Sequence, residues 1–286
     1  MTTKTLVNAR QTAKINAGVI GWPIKHSRSP LIHGHWLREH QIDGSYEKIA
    51  VEPTDLESFI NNLKTNNLSG LNVTVPHKEM VFKFADLVTE DAKSIGAANT
   101  LWFENDKLIA GNTDGYGFIT HLKLSASTWE TNKPVMVLGA GGAARAILYA
   151  LLNEGVPEIN LTNRTRERAE NLAKEFGPKI KVVEWEDKEN HLQNCGLLVN
   201  STSLGMTGSA PLEINISPLP KNAICYDIVY APLETQLLKD AKNLSLGTVD
   251  GLGMLLHQAV PGFEKWFGIR PEVTEELRQI ILNDLA

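Results

Sequence analysis

An apolar strand, Val135-Met-Val-Leu138, runs directly into Gly139-Ala-Gly-Gly-Ala-Ala144, and a helical pattern follows at once. Few local sequences restrict a fold as tightly. The first glycine permits a sharp turn, the second lets backbone approach a pyrophosphate, and the small third residue lets helix pack on strand. Backbone N–H groups at the helix start, with the helix dipole, favour phosphate. A small-residue turn also suits plain helix-on-strand packing, so context decides. The motif requires a second strand about 20 residues on, and residues 158–162 supply one. The turn therefore reads as a dinucleotide cradle. Such a turn usually opens a domain, yet here 138 residues precede it. A separate domain upstream is implied, and 286 residues suit two domains.

The residues after the second strand discriminate between cofactors. An NAD site places a carboxylate there for the ribose 2′-hydroxyl. This chain has Asn163-Arg164-Thr165, with Arg166 and Arg168 close behind. Guanidinium groups bind a 2′-phosphate bidentately, and a carboxylate would repel it. The reading is NADP. Further on, Asn200-Ser-Thr-Ser-Leu-Gly-Met206 closes another strand and suits a neighbour of the nicotinamide ribose.

The rest of the chain alternates strands and helices, which predicts an α/β protein with mostly parallel sheets. Strands are expected at 17–21, 46–51 and up to 72–74, with a hairpin of 99–103 and 108–110 around Asn105-Asp106. Ser29 is expected to cap a helix that Pro30 begins and that ends near His40. Thr54 should cap a helix to about Lys64, and Pro76 should open another. The second half predicts strands at 135–138, 158–162, 181–184, 197–200, 223–228 and 247–249, then final helices at 252–267 and 271–283. The domain reading is a tail at 1–16, a substrate domain at 17–113, a Rossmann-like domain at 114–250, and helices at 251–286 that complete the substrate domain. A helix from 114 to about 124, with 125–133 as linker, joins the two.

A net charge of −5 gives no general attraction to nucleic acid or to anionic membrane. No run is apolar and long enough to span a bilayer. Residues 1–16 carry Lys4, Arg10 and Lys14 without an apolar stretch, so they do not form a secretory signal. Cys195 and Cys225 read as small core residues in a reducing, cytoplasmic setting. His33 and His35 stand two apart on one helix and face different sides, so no metal site is expected.

Three polar clusters in the first half stand at strand ends or helix starts. His26-Ser-Arg-Ser-Pro30 offers two hydroxyls, although a plain cap would also use a serine. Asn72-Val-Thr-Val-Pro-His-Lys78 places Lys78 in the first turn of an expected helix. There the dipole disfavours a cation and suits acid/base work. Gly111-Asn-Thr-Asp-Gly115 places Asp114 where it could cap the next helix.

Together these stretches resemble the shikimate dehydrogenase family. The match runs from about 17 to 286: Gly21-x-Pro-Ile-x-His-Ser-x-Ser-Pro30, Asn72-Val-Thr-x-Pro-x-Lys78, Gly96-Ala-x-Asn-Thr100, Asn112-Thr-Asp114-x-x-Gly117, the Gly139 turn, Asn163-Arg-Thr165, and Asp250-Gly-Leu-Gly-Met254 with Gln258. One departure is Asn200-Ser-Thr-Ser, where the family often has Asn-Ala-Thr. The resemblance implies a reversible NADPH-dependent reduction of 3-dehydroshikimate to shikimate, on the route to aromatic amino acids. It implies Lys78 and Asp114 as the catalytic pair. Ser27, Ser29, Thr74, Lys78, Asn99, Asp114, Tyr230 and Gln258 would hold substrate. Gly139, Ala140, Gly141, Gly142, Ala143, Asn163, Arg164, Thr165, Arg168, Thr202, Ile228, Gly251 and Met254 would hold NADP. The partner is a small molecule, and the chain is expected to be a monomer or homodimer. The alternatives are a dehydrogenase acting on both quinate and shikimate, and an inactive NADP-binding regulator.

Overall fold

A computed structural model describes residues 14–285. Most of the expected tail, and the final residue, lie outside that range. The first half comprises β1 (Ile15–Gly21), α1 (Ser29–Glu39), β2 (Gly44–Ala50), α2 (Leu56–Asn61), β3 (Gly70–Val73), β4 (Leu87–Val88), α3 (Glu90–Ile95), β5 (Thr100–Glu104), β6 (Lys107–Gly111) and α4 (Asp114–Ser125). The second half comprises β7 (Val135–Leu138), α5 (Gly142–Asn153), β8 (Ile159–Thr162), α6 (Arg166–Phe176), β9 (Ile180–Val182), β10 (Leu197–Asn200), β11 (Ile224–Asp227), α7 (Gln236–Asn243), β12 (Gly247–Val249), α8 (Gly251–Phe267) and α9 (Glu275–Leu285). Among the described residues no helix is long and apolar enough to cross a membrane.

The strands form two sheets. The second has order β12-β11-β10-β7-β8-β9, with every pairing parallel. Counted within that half, the order is the doubly wound 3-2-1-4-5-6, with its reversal between β7 and β10. Its central strands β7 and β10 are buried on both faces, which is why they read as continuous apolar runs without alternation. The first sheet has order β2-β1-β3-β5-β6-β4. It is parallel except for β5, which runs antiparallel to β3 and β6. The β5–β6 hairpin turns at Asn105 (φ 50°) and Asp106 (φ 65°), residue types that tolerate the left-handed conformation.

Several local expectations are corrected. β1 starts at Ile15, so two residues assigned to the tail are strand. Ser29 does not cap α1. Arg28 holds the cap position, and the Ser27 hydroxyl accepts from the Ser29 amide at 3.3 Å. Thr54 lies in a short 3-10 turn (Pro53–Asp55), and no side chain caps α2. No helix opens at Pro76: residues 75–80 form turns ahead of a 3-10 turn at Val81–Phe84. The helix-dipole argument for Lys78 therefore falls away. α9 begins at Glu275, four residues later than the pattern suggested.

α8 packs into the apolar core of the first sheet: Leu256, Val260, Phe263 and Trp266 lie with Val19, Ile32, Trp36 and Tyr46. The Trp266 indole donates to the Leu101 carbonyl at 2.8 Å. α4 instead buries Phe118 and Leu122 in the core of the second sheet, where Phe118 stacks on Tyr226. α4 and α8 cross closely at Gly117, where a Cβ would lie 2.7 Å from the Gln258 Cβ. That crossing sets the distance between the ends of the two sheets.

Candidate active site

The site is assembled at the carboxyl ends of β3 and β6. The Val73 amide donates to the Asn99 carbonyl at 2.8 Å, and the Asn99 amide donates to the Gly111 carbonyl at 3.0 Å. The Ala98 amide donates to the Lys78 carbonyl at 2.9 Å, which pins the turn carrying Lys78. These backbone bonds bring three segments together that are far apart in sequence.

Lys78 Nζ donates to Asp114 Oδ2 at 2.6 Å. Asn99 Nδ2 donates to Asp114 Oδ1 at 2.8 Å, and Asn99 Oδ1 accepts from the Thr113 amide at 2.8 Å. The Asp114 amide donates to Asn112 Oδ1 at 3.0 Å. Thr113, not Asp114, holds the cap position of α4. The Asp114 carboxylate is thus free of helix capping and committed to Lys78 and Asn99. Its side chain is 12% exposed and that of Lys78 is 26%, so the ion pair is sheltered but reachable from the cleft.

A cavity of about 380 Å³ opens over this pair. It gathers Ser27, Ser29, Thr74, Lys78, Asn99, Asp114, Tyr230 and Gln258, every residue expected to hold substrate. Ile228, Gly251 and Met254 line it from the other side. Burial pushes the Tyr230 phenol above its usual range, with Arg28 opposing, so it faces the cavity as a neutral hydroxyl. Asn72 also lines the cavity and was not among the expected site residues. It is buried, accepts from Tyr46 Oη at 2.6 Å, and donates to the Asn99 carbonyl at 3.1 Å. Its place in the Asn-Val-Thr motif was the available signal. The supporting Tyr46 had no sequence signal.

The remaining expected cofactor residues lie in the loops and helix starts that follow β7, β8 and β10. Gly139 has φ +105°, and a Cβ there would lie 2.7 Å from Ser201 Oγ. Ser201 donates its hydroxyl to the Leu138 carbonyl at 2.7 Å, so this serine ties two strand ends together. Thr202 spends its hydroxyl on Asn200 Oδ1 at 2.7 Å and shapes the loop. Asn163 accepts from the Ala140 amide at 3.2 Å. No side chain caps α5, and the space beside Gly141 and Gly142 is open. An open, uncapped glycine cradle fits a pyrophosphate. Arg166 is engaged by Glu170 and Glu184, whereas Arg164 and Arg168 are exposed and have no ion pair among the described residues. Those two guanidinium groups are available for a 2′-phosphate.

His33 stacks on Tyr46 at 4.0 Å within the aromatic core, and His35 lies 3.8 Å from Glu39.

A doubly wound dinucleotide domain, a second α/β domain, and a Lys–Asp pair in a cavity between them define a two-domain nicotinamide-dependent oxidoreductase. Comparison with known proteins is specific. The model of the shikimate dehydrogenase substrate binding domain matches residues 19–101. That of shikimate / quinate 5-dehydrogenase matches 123–208, and that of the shikimate 5'-dehydrogenase C-terminal domain matches 251–281. A shikimate dehydrogenase (NADP(+)) of Brucella abortus (strain S19) is 52% identical over 273 residues, 94% of each chain. The protein belongs to the shikimate dehydrogenase family. Its fold superposes on a shikimate dehydrogenase crystallised with NADP+ at a TM-score of 0.87 and 34% identity, covering 96% of each chain. A quinate dehydrogenase from Corynebacterium glutamicum, in complex with NAD, gives 0.88 at 29% identity, covering 94% of this chain and 99% of that one.

Proposed function

We propose that this protein catalyses the reversible NADPH-dependent reduction of 3-dehydroshikimate to shikimate, within the cytoplasmic biosynthesis of aromatic amino acids. The observation that carries the reading is the Lys78–Asp114 pair at 2.6 Å, set in a cavity lined by hydroxyl and amide side chains. Residues 17–113, completed by 251–286, act as the substrate domain, and 114–250 hold the cofactor.

Oxidising a secondary alcohol releases a hydride and a proton. Bound NADP supplies the hydride chemistry. The protein's own residues manage the proton and the developing charge. Lys78 Nζ donates to the reacting oxygen and stabilises alkoxide character there. Asp114 orients Lys78, and Asn99 orients Asp114, so the pair works as one unit. Ser27, Ser29, Thr74, Tyr230 and Gln258 position the ring hydroxyls and carboxylate. Asn163, Arg164, Thr165 and Arg168 would hold the 2′-phosphate end of NADP, and the turn beginning at Gly139 would hold the pyrophosphate.

The similarity to a quinate dehydrogenase in complex with NAD motivates a second reading, of dual specificity. Asn163 and the unpaired Arg164 and Arg168 favour NADP. Steady-state kinetics with shikimate and quinate, each with NADP+ and NAD+, tests both. The highest kcat/KM is expected for shikimate with NADP+. A higher value with NAD+ overturns the cofactor assignment, and one with quinate overturns the substrate. An inactive regulator would show no turnover with any pair.

A further inference from the structure

The mechanism makes no use of a second cavity, of about 350 Å³, on the opposite side of the first turn of α8. That turn, residues 251–254, presents Gly251 and Met254 to the active-site cavity. It is held from three directions. A Cβ at Gly251 would collide with the Ile228 carbonyl, so the turn sits hard against the end of β11. A Cβ at Gly253 would collide with the His121 ring on α4. Asp250 caps the turn, its Oδ1 accepting from the Leu252 amide at 2.9 Å.

Asp250 is itself gripped from α9. Arg278 Nη2 donates to Oδ2 at 2.7 Å and Nη1 to Oδ1 at 3.3 Å, a two-point contact that fixes the carboxylate plane. Both side chains are mostly shielded, 21% and 23% exposed. α9 is anchored independently, because the Trp36 indole donates to the Glu272 carbonyl just before it, at 2.9 Å. The groups facing Asp250 are Arg278 and Glu275 on α9, His121 on α4, His257 on α8, and Tyr226 on β11. Burial pushes His121 down to about 4, and Arg278 and His257 push in the same direction against Asp250. At neutral pH Arg278 is therefore the cation that balances Asp250.

We propose that Arg278 is a positioning residue: acting through Asp250, it fixes the first turn of α8 as the wall against which cofactor and substrate meet. The inference rests on the dehydrogenase reading given above. Arg278 touches neither ligand, and its effect passes through the cap.

The test compares Arg278→Met, which keeps the stem without the charge, with Arg278→Lys, which keeps a charge. Arg270→Met is the control, because Arg270 bonds Glu264 and Tyr116 away from the turn. For Arg278→Met, kcat should fall and both KM and directly titrated Kd for NADPH should rise, each about fivefold or more, as for other positioning defects. KM for 3-dehydroshikimate should move less than about twofold. Arg278→Lys should recover most of the loss, and Arg270→Met should show none. In the ligand-free protein, NMR titration should show the His121 pKa raised by Arg278→Met, because a neighbouring cation is gone. NADPH affinity within about twofold of wild type, an equal loss in Arg270→Met, no recovery by lysine, or an unmoved His121 each overturns the assignment. Absence of wild-type turnover would overturn the dehydrogenase reading, while NADPH affinity and the His121 titration would still decide the role of Arg278. If Arg278→Met does not fold, Arg278→Gln carries the test: it keeps a donor without the charge, so it must weaken NADPH and raise the His121 pKa, and unchanged values refute the proposal.

Discussion

Removing Lys78 should separate stability from catalysis in a way the geometry specifies. In Lys78→Met, Asp114 keeps one side-chain donor, Asn99 Nδ2 at 2.8 Å, and loses the cation at 2.6 Å. A carboxylate only 12% exposed is then left poorly compensated. The cost expected for stranding such a group is about 1–3 kcal/mol, or roughly 2–10 °C in Tm for a chain of this size. Asp114→Asn should cost less, because Lys78 is 26% exposed and can turn toward water. The double variant Lys78→Met/Asp114→Asn buries no lone charge. It should regain most of the loss, with a coupling of about 1–2 kcal/mol. Activity should behave differently. Lys78→Met should lose at least about 100-fold in kcat, and the double variant should recover none of it. NADPH affinity should stay within about twofold, since Lys78 lies outside the glycine cradle. Denaturation curves, NADPH titration and turnover on the four proteins supply the cycle. A double variant no more stable than Lys78→Met would refute the lone-carboxylate argument. Turnover within about tenfold of wild type in Lys78→Met would refute its catalytic role.

Replacing Arg164 and Arg168 together by alanine should weaken NADPH by about 10–100-fold with little change for NADH, whereas Arg166→Ala should affect both weakly, because Arg166 is already engaged by acids; cofactor titrations decide. Gly139→Ala should abolish dinucleotide binding, because alanine is strained at φ +105° and its Cβ would meet Ser201 and Thr202; unchanged NADPH affinity would contradict the cradle. Burial pushes His33 down to about 3 from 6.5, with the Asn72 side chain opposing. The unfolded chain takes up that proton first as pH falls, so stability present above about pH 6.5 is lost toward pH 3. At about pH 5 the loss amounts to roughly 2 kcal/mol. His33→Phe should remove it, becoming more stable than wild type below pH 6.5 in urea denaturation; parallel pH profiles would count against a buried neutral imidazole.

Much of this protein is written locally. Strands β7 and β10 coincide with their sequence patterns, because a fully buried parallel strand is a short apolar run bounded by turn residues. The Gly139 turn, and the lack of an acid after β8, are chemical constraints carried by side chains and φ angles within 30 residues. The segments around Ser29, Thr54 and Pro76 were less legible. Each offers a plausible helix start, and backbone pairing elsewhere decides which form. Pro76 opens no helix because its segment is tied to the ends of β1 and β5, through Thr74 to Ile20 and Lys78 to Ala98.

Composition and motif order were enough for two α/β domains, a dinucleotide cradle, the choice of NADP, and the residue types of the chemistry. Tertiary structure alone decided what those residues touch. Asp114 could have been a helix cap, and only the neighbouring strands turn it toward Lys78 and Asn99. Arg278 carried no signal at all, because its partner Asp250 lies 28 residues away on another element. A turn or a strand is dictated by forces acting between near neighbours. A site depends on distances set by the packing of whole sheets and helices, and those exist only once the chain has folded.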